Sequence, residues 1–156
     1  MRGLTSAALG AAILTMLAAF AVSHAGLRAQ PAQETTRSVW DGVYTAEQAK
    51  RGEALYKKEC GACHGDMLTG GEMAPPLAGG AFLSNWNGLT VGDLFERIRK
   101  TMPTNKPGRL TRPVYLDVTA HLLAANDFPA GDTELPENTE RMKQILIEMT
   151  KPEKKK

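Results

Sequence analysis

Five consecutive residues constrain this chain more than any other feature: Cys60-Gly61-Ala62-Cys63-His64. Two thiols at this spacing fall on one face of a single helical turn, and a histidine follows the second thiol directly. Cys-x-x-Cys-His is the attachment pattern of haem c. Each thiol can form a thioether with one vinyl group of the porphyrin, and the imidazole then reaches the iron. The chain has two cysteines in all, so neither has another partner in the sequence. The expected cofactor is one covalent haem c per chain, held by Cys60, Cys63 and His64.

Other chemistries use parts of this pattern. A thioredoxin-like pair follows a strand in a βαβ setting, whereas the residues before Cys60 read as helix. A zinc centre needs about four ligands, and adjacent Cys63 and His64 side chains do not readily converge on one small tetrahedral ion. A structural disulfide would not require the histidine.

Met1-Arg2 gives a basic start, Ala7 to Val22 is an apolar run rich in small residues, and Ser23-His24-Ala25 closes it. This is the layout of a secretory signal peptide over residues 1–29, with cleavage near 25–29. A retained anchor is the alternative, and only then does the chain meet a membrane. Export to a bacterial periplasm fits covalent haem attachment. The remaining length of roughly 130 residues suits one core. The formal net charge is +2, from 19 Lys+Arg against 17 Asp+Glu. That is no basic field for nucleic acid.

Residues 30–44 are polar and aperiodic and are expected to be a flexible lead-in. Thr45 and Gln48 have capping-box spacing, opening a helix that runs to the Cys-x-x-Cys-His motif. Gly52 within it costs about 1 kcal/mol against alanine, which makes sense where another helix crosses the backbone. Gly70-Gly71 and Pro75-Pro76 mark irregular chain. Thr90 caps a second helix, from Val91 to about Thr101, with Val91, Leu94, Phe95 and Ile98 on one face. Thr111 opens a third, reaching about Asn126. Beyond it, Met142, Ile145, Leu146 and Met149 are spaced as a short amphipathic helix. The reading is all-α: about three main helices with long loops around one covalent haem. It gives a domain over 45–128 and a C-terminal extension over 129–156 that ends in the basic Lys154-Lys155-Lys156.

Met67, Met73, Met102, Met142 and Met149 follow the signal segment and are the candidates for the second axial ligand. Met67 is too near the attachment motif to cross the ring plane easily, and helically spaced Met142 and Met149 suit a core. Met102, at a helix exit before Pro103, is the expected ligand, and Met73, in a Gly/Pro loop, is its rival. A thioether ligand favours Fe(II) and raises the potential relative to two histidines, and it closes the iron to substrates. His121 is expected to pack rather than to ligate.

These residues resemble the class I cytochrome c family from about Thr45 to Asn126. Gly52 and Tyr56 match the family's glycine and aromatic ahead of the motif. Pro75-Pro76-Leu77-Ala78-Gly79 matches its Pro-x-Leu-x-Gly, Met102-Pro103 its Met-Pro, and Tyr115 to Leu123 its final helix. The resemblance implies the cytochrome c fold, with the Pro75 carbonyl orienting His64 and Trp86 near the haem propionates. The chain departs from the family at His121, where an aromatic is usual. The flanks Ser38 to Tyr44 and Phe128 to Gly131 are similar to those of small cytochromes associated with PQQ-dependent alcohol dehydrogenases.

The function these features imply is periplasmic electron transfer with His/Met ligation, and not catalysis. The donor would be a periplasmic dehydrogenase and the acceptor an oxidase or another cytochrome. Lys57, Lys58, Lys100 and Lys106 are candidates for steering an acidic partner. One alternative is a fixed haem subunit of a quinoprotein dehydrogenase, docked through the segment beyond Pro129. The other is a haem peroxidase or gas-binding protein with an open sixth site.

Overall fold

Caps set the long helices. The computed structural model describes residues 37–72 and 74–153. The signal segment, the first part of the lead-in, Met73 and the Lys154–Lys156 tail lie outside the described residues. Helix α1, Ala46–Glu59, starts where the Thr45 hydroxyl accepts the Gln48 amide. The reciprocal half of the capping box is absent, because the Gln48 side-chain oxygen instead accepts the amide of Leu135 at 2.9 Å. Two one-turn to two-turn helices follow, α2 (Gly61–His64) and α3 (Gly80–Trp86). Helix α4, Val91–Thr101, has a complete box between Thr90 and Asp93. Helix α5, Arg112–Ala125, begins after Thr111 without a side-chain cap and with proline in its first turn, where a missing amide costs nothing.

Helices α1 and α5 pack face to face at Gly52, as the sequence implied: a Cβ there would overlap the backbone of Asp117. Beside this crossing the Arg51 guanidinium bonds both Asp117 carboxylate oxygens at 3.0 Å and Glu134 at 2.7 Å. Phe82, Leu94, Phe95, Tyr115 and Leu123 fill the main core.

Two regions differ from the sequence reading. Residues 37–44 are not a flexible lead-in. Strand β1, Arg37–Ser38, runs into a 3-10 turn, Val39–Asp41, closed by reciprocal Ser38 and Asp41 bonds. Val39, Val43 and Tyr44 are buried, and their apolar area outweighs the polar neighbours that suggested disorder.

The C-terminal segment is likewise part of the core through Ile147, and so is not a spare docking element over that stretch. Its helical spacing yields only the single turn α6, Thr139–Met142. Ile145–Leu146 forms strand β2, parallel to β1 with Arg37 opposite Ile145. Leu135, Met142, Ile145 and Ile147 are buried. The two flanks that carry the narrower resemblance meet here as one collar. Trp40 stacks edge-on against Phe128 at 5.1 Å, the Gly131 amide bonds the Tyr44 carbonyl, and the Tyr44 hydroxyl donates to the Phe128 carbonyl.

Candidate functional site

Cys60 ends α1 and starts α2: its amide still bonds the Tyr56 carbonyl at 2.8 Å, while its carbonyl accepts from Cys63 and His64. The turn is tied back to α1 by the Tyr56 hydroxyl, which donates to the Gly65 carbonyl at 2.7 Å. Burial, with Cys60 and Asp66 nearby, pushes Tyr56 up to about 12, so the hydroxyl keeps its proton and its donor role.

His64 is buried, and its Nδ1 lies 2.8 Å from the Pro75 carbonyl. A carbonyl can only accept, so Nδ1 carries the proton and Nε2 keeps its lone pair. The Pro75 segment is held against the turn by short links. The Gly70 amide bonds the His64 carbonyl at 2.9 Å, and Leu77 N–H bonds the Leu68 carbonyl at 2.8 Å. Gly70 sits at φ +73°, and a Cβ there would meet the Pro75 and Pro76 backbone at 2.6–2.7 Å, so only glycine fits. Asn126, at the end of α5, grips the next stretch: its Nδ2 donates to the Leu77 carbonyl and its Oδ1 accepts the Gly79 amide, both at 3.0 Å.

Met102 caps the C-terminus of α4 in an extended conformation and is partly buried. Its carbonyl accepts the Tyr115 hydroxyl at 2.7 Å and the Gly108 amide at 3.3 Å. One turn earlier, Ile98 packs in a small apolar cluster with Tyr56, Leu68, Leu122, Cys60 and Leu77. Leu77 and Ile98 also border the main core, where Trp86 packs with Phe82 at 6.2 Å between ring centres. The structure thus joins His64 directly to Pro75. Met102 is tied to Ile98 by its amide, which bonds the Ile98 carbonyl at 2.9 Å, and Trp86 borders the main core that Leu77 also borders.

Both thiols are free. Burial and the neighbouring Glu59 push Cys60 up to about 11, the reverse of the activated thiolate of a redox pair. Among the described residues no three His, Cys, Asp or Glu side chains are grouped for one ion. Haem c fits the residues present. It uses two unpaired thiols, an imidazole fixed in the ligating tautomer, and partly buried apolar groups (Leu77, Ala78, Ile98, Ala125) that border the same small cluster as Cys60.

His121 lies between α5 and α1, with its ring 5.3 Å from that of Tyr56. Asn126, Tyr115 and Glu59 hold the site but were not picked out as such from the sequence. Their partners are backbone groups or side chains far along the chain, which leave no local pattern.

Fold and site define a cytochrome c domain. Residues 47–122, just under half of the chain, match the family model described as cytochrome c oxidase, cbb3-type, subunit III. A chain of the sulfane dehydrogenase SoxCD from Paracoccus pantotrophus is similar at 23% identity and a TM-score of 0.47. That similarity covers 69% of this chain and 61% of the other, less than two thirds of the latter's length. Comparison with curated proteins gives no match.

Proposed function

We propose that this chain is an exported electron carrier holding one haem c, with thioethers from Cys60 and Cys63 and axial ligation by His64 and Met102. The observation that carries the reading is the 2.8 Å contact of His64 Nδ1 with the Pro75 carbonyl inside a Cys-x-x-Cys-His turn. When bound, haem c supplies a one-electron Fe(III)/Fe(II) couple. The residues do the rest. Pro75 holds the imidazole in one tautomer, and Tyr115 and Gly108 fix the backbone of Met102. Leu77 and Ile98 keep water from the ring face. The role of Trp86 is to offer its indole N–H to a propionate.

A thioether at the sixth position closes the iron to peroxide and dioxygen, which favours transfer over catalysis. Lys57 and Lys100 are paired with Glu53 and Glu96 and Lys58 lies 3.8 Å from Glu59, so of the four lysines Lys106 is left to carry the steering charge. A periplasmic dehydrogenase of the quinoprotein class is the donor we assign, on the flanks 38–44 and 128–131, with an oxidase or another cytochrome as acceptor. Export rests on residues 1–29.

Oxidised and reduced absorption spectra of the haem-loaded chain, beside Met102→Ala and Met73→Ala, test the ligation. Loss of the far-red methionine–Fe(III) band with gain of carbon monoxide binding in Met102→Ala alone supports a closed His/Met carrier. The same changes in Met73→Ala alone move the ligand to Met73. A wild type that lacks the band and binds carbon monoxide has an open site and overturns the carrier reading.

A further inference from the structure

Glu59, the last residue of α1 and the neighbour of Cys60, forms an ion pair with Arg109 in the loop that follows Met102. The two residues are 50 positions apart. The Glu59 side chain is 10% exposed and that of Arg109 35%, with Lys58 Nζ a more distant second cation at 3.8 Å. The other bonds of this loop act elsewhere. Tyr115 holds the Met102 carbonyl to α5, while Gly108 N–H to Met102 O and Lys106 N–H to Pro103 O close the loop on itself. The ion pair instead joins the loop to the helix end that carries the first attachment cysteine.

We propose that Glu59 and Arg109 are a positioning pair, a latch that keeps the Met102 loop closed over the cofactor edge; this rests on the His64/Met102 reading. The latch acts through Met102 and touches no reacting atom. Removing the guanidinium leaves a largely buried carboxylate with Lys58 alone at long range. Relief comes when the loop swings out and lets water reach Glu59. Arginine suits the role because its fork fixes direction as well as charge. A partly exposed ion pair holds a loop by a modest factor, so its loss should raise the open population about fivefold.

The test uses the haem-loaded full chain, with Arg109→Gln, Arg109→Lys and the near-isosteric Glu59→Gln, each also in a Met102→Ala background. The readouts are the carbon monoxide association rate of the reduced protein, the far-red band of the oxidised protein and the thermal midpoint. Arg109→Gln and Glu59→Gln should each bind carbon monoxide about fivefold faster, with Arg109→Lys in between. In Met102→Ala the same changes should leave the rate unaltered. Two results would sink the latch: wild-type rates and band in both glutamine variants, or equal acceleration with and without Met102. A wild type without the far-red band removes the His/Met ligation itself, and the latch with it, which is a different result from either.

Discussion

The Asp117 carbonyl of α5 lies so close to Gly52 of α1 that a Cβ at position 52 would overlap it, and would stand 2.9 Å from the His121 Cβ. The obstacle is mostly backbone, which cannot step aside as a flexible side-chain tip can. Gly52→Ala would gain about 1 kcal/mol in helix propensity. Forced separation of two packed helices costs about 1–3 kcal/mol or more, and the Arg51–Asp117 fork beside the crossing would be strained too. The second effect wins. The expected outcome is a net loss of about 1–2 kcal/mol, read as a lower urea midpoint for the haem-loaded chain. An unchanged or higher midpoint would show that the helices can part freely.

Asn126 is buried with three bonds: to the Leu77 carbonyl, to the Leu122 carbonyl and from the Gly79 amide. Asn126→Ala leaves the Gly79 donor and the Leu77 acceptor without their partner beside the segment that fixes His64. Such groups cost about 1–3 kcal/mol each when stranded away from water. The variant should lose roughly 2–4 kcal/mol by urea unfolding, and Asn126→Asp, which keeps the shape but turns a buried carboxylate oxygen on the Leu77 and Leu122 carbonyls, should lose at least as much. A much smaller loss in Asn126→Asp would assign the effect to packing and not to the amide.

The parts legible in the sequence were those set by neighbours in the chain. Thr90 and Asp93 announce α4 because a capping box is complete within four residues. His64 and Pro75 sit eleven residues apart, and their contact was implied by the resemblance to the class I cytochrome c family rather than by spacing alone. Gly52 betrayed the helix crossing by being costly where it stands. What failed to show was set at long range. Helix α3 has glycine at its N-cap and no capping bond, so it carries no start signal. The pairing of Arg37 with Ile145 is two residues long and has no periodicity to read. Gln48 kept its capping position while its side chain went to Leu135, a partner 87 residues away.

That long-range closure makes the C-terminal segment indispensable through Ile147. A chain stopped after Pro129 would lose Leu135, Met142, Ile145 and Ile147, all buried. Burial of one such side chain stabilises by about 1.5–3 kcal/mol, so four rival the whole stability of about 5–15 kcal/mol expected for a domain. It would also lose Glu148, whose backbone carbonyl accepts the Trp40 indole N–H at 2.9 Å. Truncation after Pro129 should yield no protease-resistant haem protein. Truncation after Lys151 should match wild type in thermal midpoint and proteolysis pattern. A stable short form would restore the segment to the status of an appendage.

His121 is the group through which mild acid should first weaken the fold. Its Nε2 is buried without a hydrogen-bond partner among the described residues, and its ring lies against Tyr56. Burial pushes its pKa below the ordinary 6.5; Glu53 across the interface opposes this and Lys57 adds to it. The folded protein therefore keeps the imidazole neutral, while the unfolded chain takes up a proton near 6.5. Between the folded pKa and 6.5 the unfolded state binds more protons, so stability rises with pH across that window. Above 6.5 the residue contributes no pH dependence, and below the folded pKa the penalty is complete. One proton limits the slope to about 1.4 kcal/mol per pH unit. His121→Phe keeps a ring against Tyr56 and removes the titration. Its thermal midpoint should hold steady from about pH 7 to about pH 5, where that of wild type falls. A decline that persists in the variant would pass the acid sensitivity to carboxylates such as Glu53 and Glu96. Their lysine and arginine partners hold them below the usual 4.5, so their contribution is lost only as pH falls further, through those depressed values.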